Sequence, residues 1–171
     1  MLMLMMLIMA VPAASAPIAG RSASVDSGSF DPVSIEDFYS YDDTLPLQPS
    51  VAILDSNEWY QHYDVRYQSE GDTVYAHYFV PVLPRSAGNP AIIGLHGMFS
   101  GSDQQFWVAA QFVAKRGIAG FTPSMPYHHR RGKGIQLFSG QKFILDSPQA
   151  IRGNIRRAVV DMRRAMDWLS R

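Results

Sequence analysis

The residues able to do chemistry in this 171-residue chain are five histidines, two closely spaced serines and a row of arginines. His62 and His77 fall on two neighbouring segments that each alternate in hydrophobicity. A metal site built on that pair would need further ligands that the sequence does not offer nearby, so they are read as cross-strand surface histidines. His128 and His129 adjoin Tyr127 in a basic stretch, Pro123 to Gly134. They are read as lining a pocket, sitting in a surface loop or capping, rather than as a general base. Ser100 and Ser102 stand in Gly97-Met98-Phe99-Ser100-Gly101-Ser102-Asp103. Neither has the G-x-S-x-G spacing that a strand-to-helix nucleophile turn requires. Arg152, Arg156, Arg157, Arg163 and Arg164 lie on one amphipathic segment. Without an aromatic platform or a DNA-binding motif beside them, they are read as a solvated helix face, and no nucleic-acid partner is expected.

Composition removes several classes outright. With no cysteine there is no thiolate nucleophile, disulfide framework, Cys-ligated zinc or iron-sulfur cluster. Asp42 and Asp43 lack the alternating oxygen ligands of a calcium loop, and no metal site is expected. No glycine-rich dinucleotide or phosphate loop occurs, so no cofactor is expected either. The apolar fraction of 47% suffices for one core. Charge is zero overall and uneven along the chain: residues 1 to 129 hold 5 basic and 12 acidic side chains, and residues 130 to 171 hold 10 and 3.

The elements that must position these residues begin after an uncharged start. Met1 to Val11 is apolar and passes into Ala13, Ala14, Ser15 and Ala16, the pattern of a secretory signal with Ala14 and Ala16 in A-x-A spacing. Pro17 would follow a cut after Ala16, which leaves Ala13 and Ala19 as alternative cut points. Residues 1–19 are therefore expected to be a signal peptide or a retained N-terminal anchor, with export to the periplasm or the extracellular space. A misassigned start ahead of a cytosolic protein is the third reading. Residues 20–56, rich in Ser, Asp and Pro, show no useful period and are expected to form a flexible linker.

From residue 57 the pattern has direction. Trp59 to Gln68 alternates as a strand half buried at best, Gly71-Asp72 is a turn, and Thr73 to Val82 alternates again, which predicts a hairpin. Ala91-Ile92-Ile93-Gly94-Leu95 is a continuous apolar run, expected as a strand covered on both faces in a parallel sheet. A helix is predicted over Asp103 to Arg116, with Phe106, Trp107, Ala110 and Val113 inward and Gly117 ending it. Ile118 to Thr122 reads as the next buried strand. Ser147 as N-cap and Pro148 at the first position open a long helix whose stripe is Ile151, Ile155, Ala158, Val159, Met162, Ala165, Met166 and Leu169. Asp161 and Asp167 are assigned to its polar side.

This ordered series resembles the first half of an α/β-hydrolase. Ile93-Gly94-Leu95-His96-Gly97-Met98 looks like the oxyanion turn after that fold's third strand. Met125-Pro126-Tyr127-His128-His129-Arg130-Arg131, Ser139-Gly140-Gln141-Lys142-Phe143 and the helix reaching Asp167-Trp168-Leu169 resemble uncharacterised members related to dienelactone hydrolases and esterases. The resemblance covers residues 57–171. It implies an α/β fold, an antiparallel hairpin followed by parallel strands with flanking helices, and the N-terminal part of a truncated hydrolase sheet. It implies a serine hydrolase of small carboxylic esters in which the backbone N–H of Met98 serves the oxyanion hole, His96 and Gly97 shape the turn, and Tyr127 and His128 touch substrate. The nucleophile, acid and base histidine of that family lie beyond Arg171, so the chain alone is expected to be inactive. Without the rest of the sheet, Ala91 to Leu95 would present an apolar edge prone to self-association. A non-catalytic module that completes its sheet with a partner chain is the alternative.

Overall fold

The computed structural model describes residues 33–83, 90–97, 103–132 and 138–171, apart from the side chains of Asp103 and Gln105. Residues 1–32, with the expected signal and the first part of the expected linker, lie outside the described residues. So do residues 84–89 and the residues Met98, Ser100 and Ser102. The architecture is mixed α/β, one five-stranded mixed sheet with helices on both faces.

The expected hairpin forms. Strands β2 (Tyr60–Ser69) and β3 (Asp72–Pro81) pair antiparallel from Ser69 opposite Asp72 to Tyr60 opposite Pro81. Glu70 and Gly71 make the two-residue turn with positive φ of 45° and 78°, the conformation that follows the twist of the strands. β1 (Ser50–Ser56) adds antiparallel to β2, with a register shift between Ile53 and Asp55. β5 (Ala119–Pro123) adds antiparallel to β3, and β4 (Ala91–Ile93) lies parallel to β5 at the far edge, giving the order β1-β2-β3-β5-β4.

Each sheet face has its own apolar cluster. On one face Val65, Tyr67, Val74, Ala76 and Phe121 pack with Leu47 and with Ala165 of α4 (Pro148–Leu169). On the other, Tyr60 and Phe79 pack with Trp107, Ala110 and Ala114 of α2 (Trp107–Ala114), which follows a 3-10 turn at Asp103–Phe106. Gly120 lets α2 sit against the sheet: a Cβ there would come within 2.7 Å of the Ala110 backbone. β2 is thus covered on both faces, against the expectation of a half-buried strand, because α2 and α4 arrive from distant parts of the sequence. α4 starts as its sequence predicts, with the Ser147 hydroxyl accepting from the Ala150 N–H at 3.2 Å and Pro148 in the first turn.

Two further expectations need correction. Residues 33–56 are not a free tether: they hold α1 (Ile35–Phe38), the buried Leu47 and strand β1. The arginine row of α4 is only partly left to solvent, because that arm lies along it. Arg156 donates to the carbonyls of Phe38 and Ser40, Arg163 to Tyr39 and Arg164 to Leu45, at 2.6 to 2.9 Å. Arg156 also grips Glu70 through two oxygens, and the Tyr41 hydroxyl donates to Asp167 at 2.9 Å. An irregular segment satisfies its backbone this way instead of through a ladder, which is why no period marked it. At the opposite edge, β4 is only three residues long and Ile92 is half exposed, where a strand covered on both faces was expected.

Candidate active site

β4 and β5 run parallel, so their carboxyl ends open side by side, the place where open α/β sheets bind ligands. His96 follows β4, and the loop from Ser124 to Gly132 follows β5. The His96 ring, nearly buried, joins them: its Nε2 accepts from the Met125 N–H at 3.0 Å. Nε2 is therefore unprotonated, and Nδ1–H donates to the Gly97 carbonyl at 3.2 Å. In that tautomer His96 holds the turn and has no free nitrogen for a base. The Met98 N–H of the expected oxyanion hole lies outside the described residues.

The β5 loop is tightly held. Arg131, 3% exposed, donates to the Ser124 carbonyl at 2.9 Å, to Asp161 of α4 at 2.6 Å and to Asp72 of the hairpin at 3.0 Å. Burial by itself would lower the guanidinium, but the two carboxylates outweigh it and keep its pKa above the ordinary arginine value. Asp161 faces inward, not to the polar side, and its backbone carbonyl accepts from the buried Tyr67 hydroxyl at 2.9 Å. Burial drives that phenol well above its usual pKa. Next in the loop, Arg130 pairs with Asp64 at 2.6 Å and lies over the Tyr75 ring. Burial would raise Asp64, yet Arg130 and Arg66 prevail and keep it below the usual carboxylate range.

Between these anchors Tyr127 and His129 adopt φ of 62° and 46°, a region that non-glycine residues rarely occupy and that persists only when the surroundings impose it. The consequence is an alternation: His128 and Arg131 turn inward, while Tyr127, His129 and Arg130 retain exposed surface. The His129 ring stands 4.8 Å from the His96 ring. Of the two residues expected to touch substrate, Tyr127 keeps part of its surface exposed, whereas His128 is fully buried.

His62 and His77 also differ from expectation. They are not surface groups: both are buried under α2, His62 stacked on Phe79 and both rings against Trp107. Burial first, then the neighbouring His77, pushes His62 down to about 4. The alternation puts His62 and His77 on the face that also carries Tyr60 and Phe79, but what covers that face is α2, from later in the chain. Among the described residues, no group of three or more His, Asp or Glu could hold a metal ion, and no helix is long and apolar enough to cross a membrane.

Among solved structures the chain is similar to an acetyl xylan esterase from Paenibacillus sp. R4, with 20% identity and a TM-score of 0.54. The match covers 74% of this chain and 42% of that one, so the chain spans less than half the length of the esterase. At this identity the likeness speaks for the fold alone. No family model and no curated protein matches the chain.

Proposed function

We propose that this chain forms the oxyanion-turn part of an exported serine hydrolase acting on small carboxylic esters. The observation that supports the reading best is the His96–Met125 bond, which pins a His-Gly turn at the shared carboxyl end of two parallel strands. During acyl transfer the former carbonyl oxygen becomes negative, and a fixed N–H donor lowers that barrier by roughly 3 kcal/mol. Met98 would supply such a donor, with Gly97 leaving room for the substrate. Tyr127, half-buried in the loop after β5, would touch the substrate. The serine, its acid and its base are to come from polypeptide beyond these 171 residues, and the chain alone should not turn over ester.

Sequencing the source DNA past the codon for Arg171 tests this. Continuation into an apolar strand followed by G-x-S-x-G supports the reading; an immediate stop codon overturns it for this product. Purified chain that hydrolyses a short-chain nitrophenyl ester, with loss on treatment with a serine-directed phosphonate, would overturn the expected inactivity.

A second reading, an assembly module that completes its sheet with another chain, is favoured by the open β4 edge, where Ile92 and Leu95 are exposed. Co-purification with one defined partner at fixed stoichiometry would select it.

A further inference from the structure

His128 is buried completely, and one of its nitrogens is committed: Nδ1 lies 2.8 Å from the Pro126 carbonyl. A carbonyl only accepts, so the proton sits on Nδ1 and Nε2 carries a bare lone pair. That lone pair meets no hydrogen-bond partner. It abuts Gly140, at φ 79°, where a Cβ would overlap the imidazole. Backbone bonds close the same joint, from the Gly140 N–H to the Tyr127 carbonyl at 3.0 Å and from the Arg131 N–H to the His128 carbonyl at 2.8 Å. The His129 N–H donates to the Ser139 hydroxyl at 3.2 Å. The loop after β5 and the start of α3 (Gln141–Ile144) are therefore joined around a single ring.

Among the described groups facing that ring, none brings a negative charge to meet a new proton. On its own loop stand the Arg131 cation and the His129 ring; from the end of β4 comes the His96 ring, at 4.7 Å; from α3 comes Phe143, at 5.9 Å. Asp161 of α4 and Asp72 of the hairpin are engaged by Arg131.

We propose that His128 is a positioning residue that seats the Pro126 to His129 loop against Gly140 only as a neutral imidazole, and that a proton on Nε2 unseats it. An Nε2–H would aim a donor at the Gly140 backbone carbon and bury a cation near Arg131, a large penalty that the ring escapes by swinging into water. The swing breaks the Gly140 to Tyr127 joint and displaces His129 from beside the His96 ring. Burial lowers the His128 pKa, the Pro126 bond opposes this and Arg131 adds to it, leaving it below 6.5. The closed loop is thus fully favoured above that value and loses ground as pH falls from there through the folded value. Its bearing on substrate rests on the ester-hydrolase reading; the latch itself does not.

The test is amide hydrogen exchange on the whole 171-residue chain at about pH 7 and about pH 5, corrected for intrinsic rates. Protection of the Gly140 and Phe143 amides should fall roughly tenfold or more at the lower pH, while amides of β2 and α4 hold. His128→Asn keeps an N–H for Pro126 but cannot gain a proton, and its protection should be flat with pH. Gly140→Ala should lose protection at both pH values. In the wild type the His128 ring, followed by NMR, should titrate together with the Gly140 amide, a check that survives misfolding of either variant. Flat wild-type protection, an equal loss in His128→Asn, loss shared by β2 and α4, or a ring titration apart from Gly140 would each overturn the latch. No readout requires ester turnover, so the latch and the hydrolase reading can fail separately.

Discussion

Nε2 of His62 lies 3.0 Å from Nδ1 of His77, across two antiparallel strands, with both rings enclosed by Phe79 and Trp107. The bond requires one nitrogen to donate and the other to accept, so the two rings cannot both carry a charge. Asp55 and Asp64 oppose the fall in the His62 pKa, but burial and His77 win and hold it at about 4.

Because the folded value is depressed, the stability contributed by His62 is complete above the unfolded value of 6.5 and is lost as pH falls from there towards about 4. His62→Gln keeps a polar group facing His77 without titrating. Urea unfolding followed at Trp107 should show a smaller loss of stability across that window than in the wild type. Identical pH profiles would remove the pair from the acid response.

Arg131 neutralises two carboxylates from a nearly fully buried position. Arg131→Met leaves Asp161 buried without its cation, and should cost about 3–5 kcal/mol in chemical denaturation. Adding Asp161→Leu should recover a good part of that loss, since the stranded charge is then gone.

Leu47 belongs to the arm that the sequence marks as a tether, yet it is 2% exposed. Leu47→Ala should therefore destabilise by about 2–5 kcal/mol. A change within about 0.5 kcal/mol, as for an ordinary surface position, would mean that the arm is not part of the folded unit.

Two glycines should respond in opposite directions. Gly153, inside α4, has nothing within 4 Å of an added Cβ, so Gly153→Ala should stabilise by about 0.5–1 kcal/mol. Gly120→Ala forces β5 and α2 apart at Ala110 and should destabilise by about 1–3 kcal/mol. Thermal melts of the two variants against the wild type suffice to check the signs.

The β4 edge carries exposed Ile92 and Leu95, and α2 exposes Val108 and Phe112. The chain alone is expected to associate as its concentration rises, and Ile92→Lys to reduce that association, as read by sedimentation. A monodisperse wild-type monomer with a sharp cooperative melt would count against an open edge.

Local features were legible in the sequence. Alternation in Trp59 to Gln68 and Thr73 to Val82 with Gly71 between them dictates a hairpin, and Ser147-Pro148 ahead of a helical stripe dictates where α4 begins. These depend on neighbours a few residues apart, which any reading of spacing includes. The inward side of Asp161 could also have been found, since it lies three residues after Ala158 and four before Ala165, both buried. Other features could not. Whether His62 and His77 are wet depends on α2, which begins thirty residues after His77, and whether Arg164 meets water depends on a carbonyl 119 residues away. The inward turn of His128 needs a glycine twelve residues on to leave space for its ring. The sequence by itself determined the hairpin, the main strands and helices after residue 57 and their order. Only the tertiary structure decided which polar groups were stripped of water, because desolvation is set by what packs across a face.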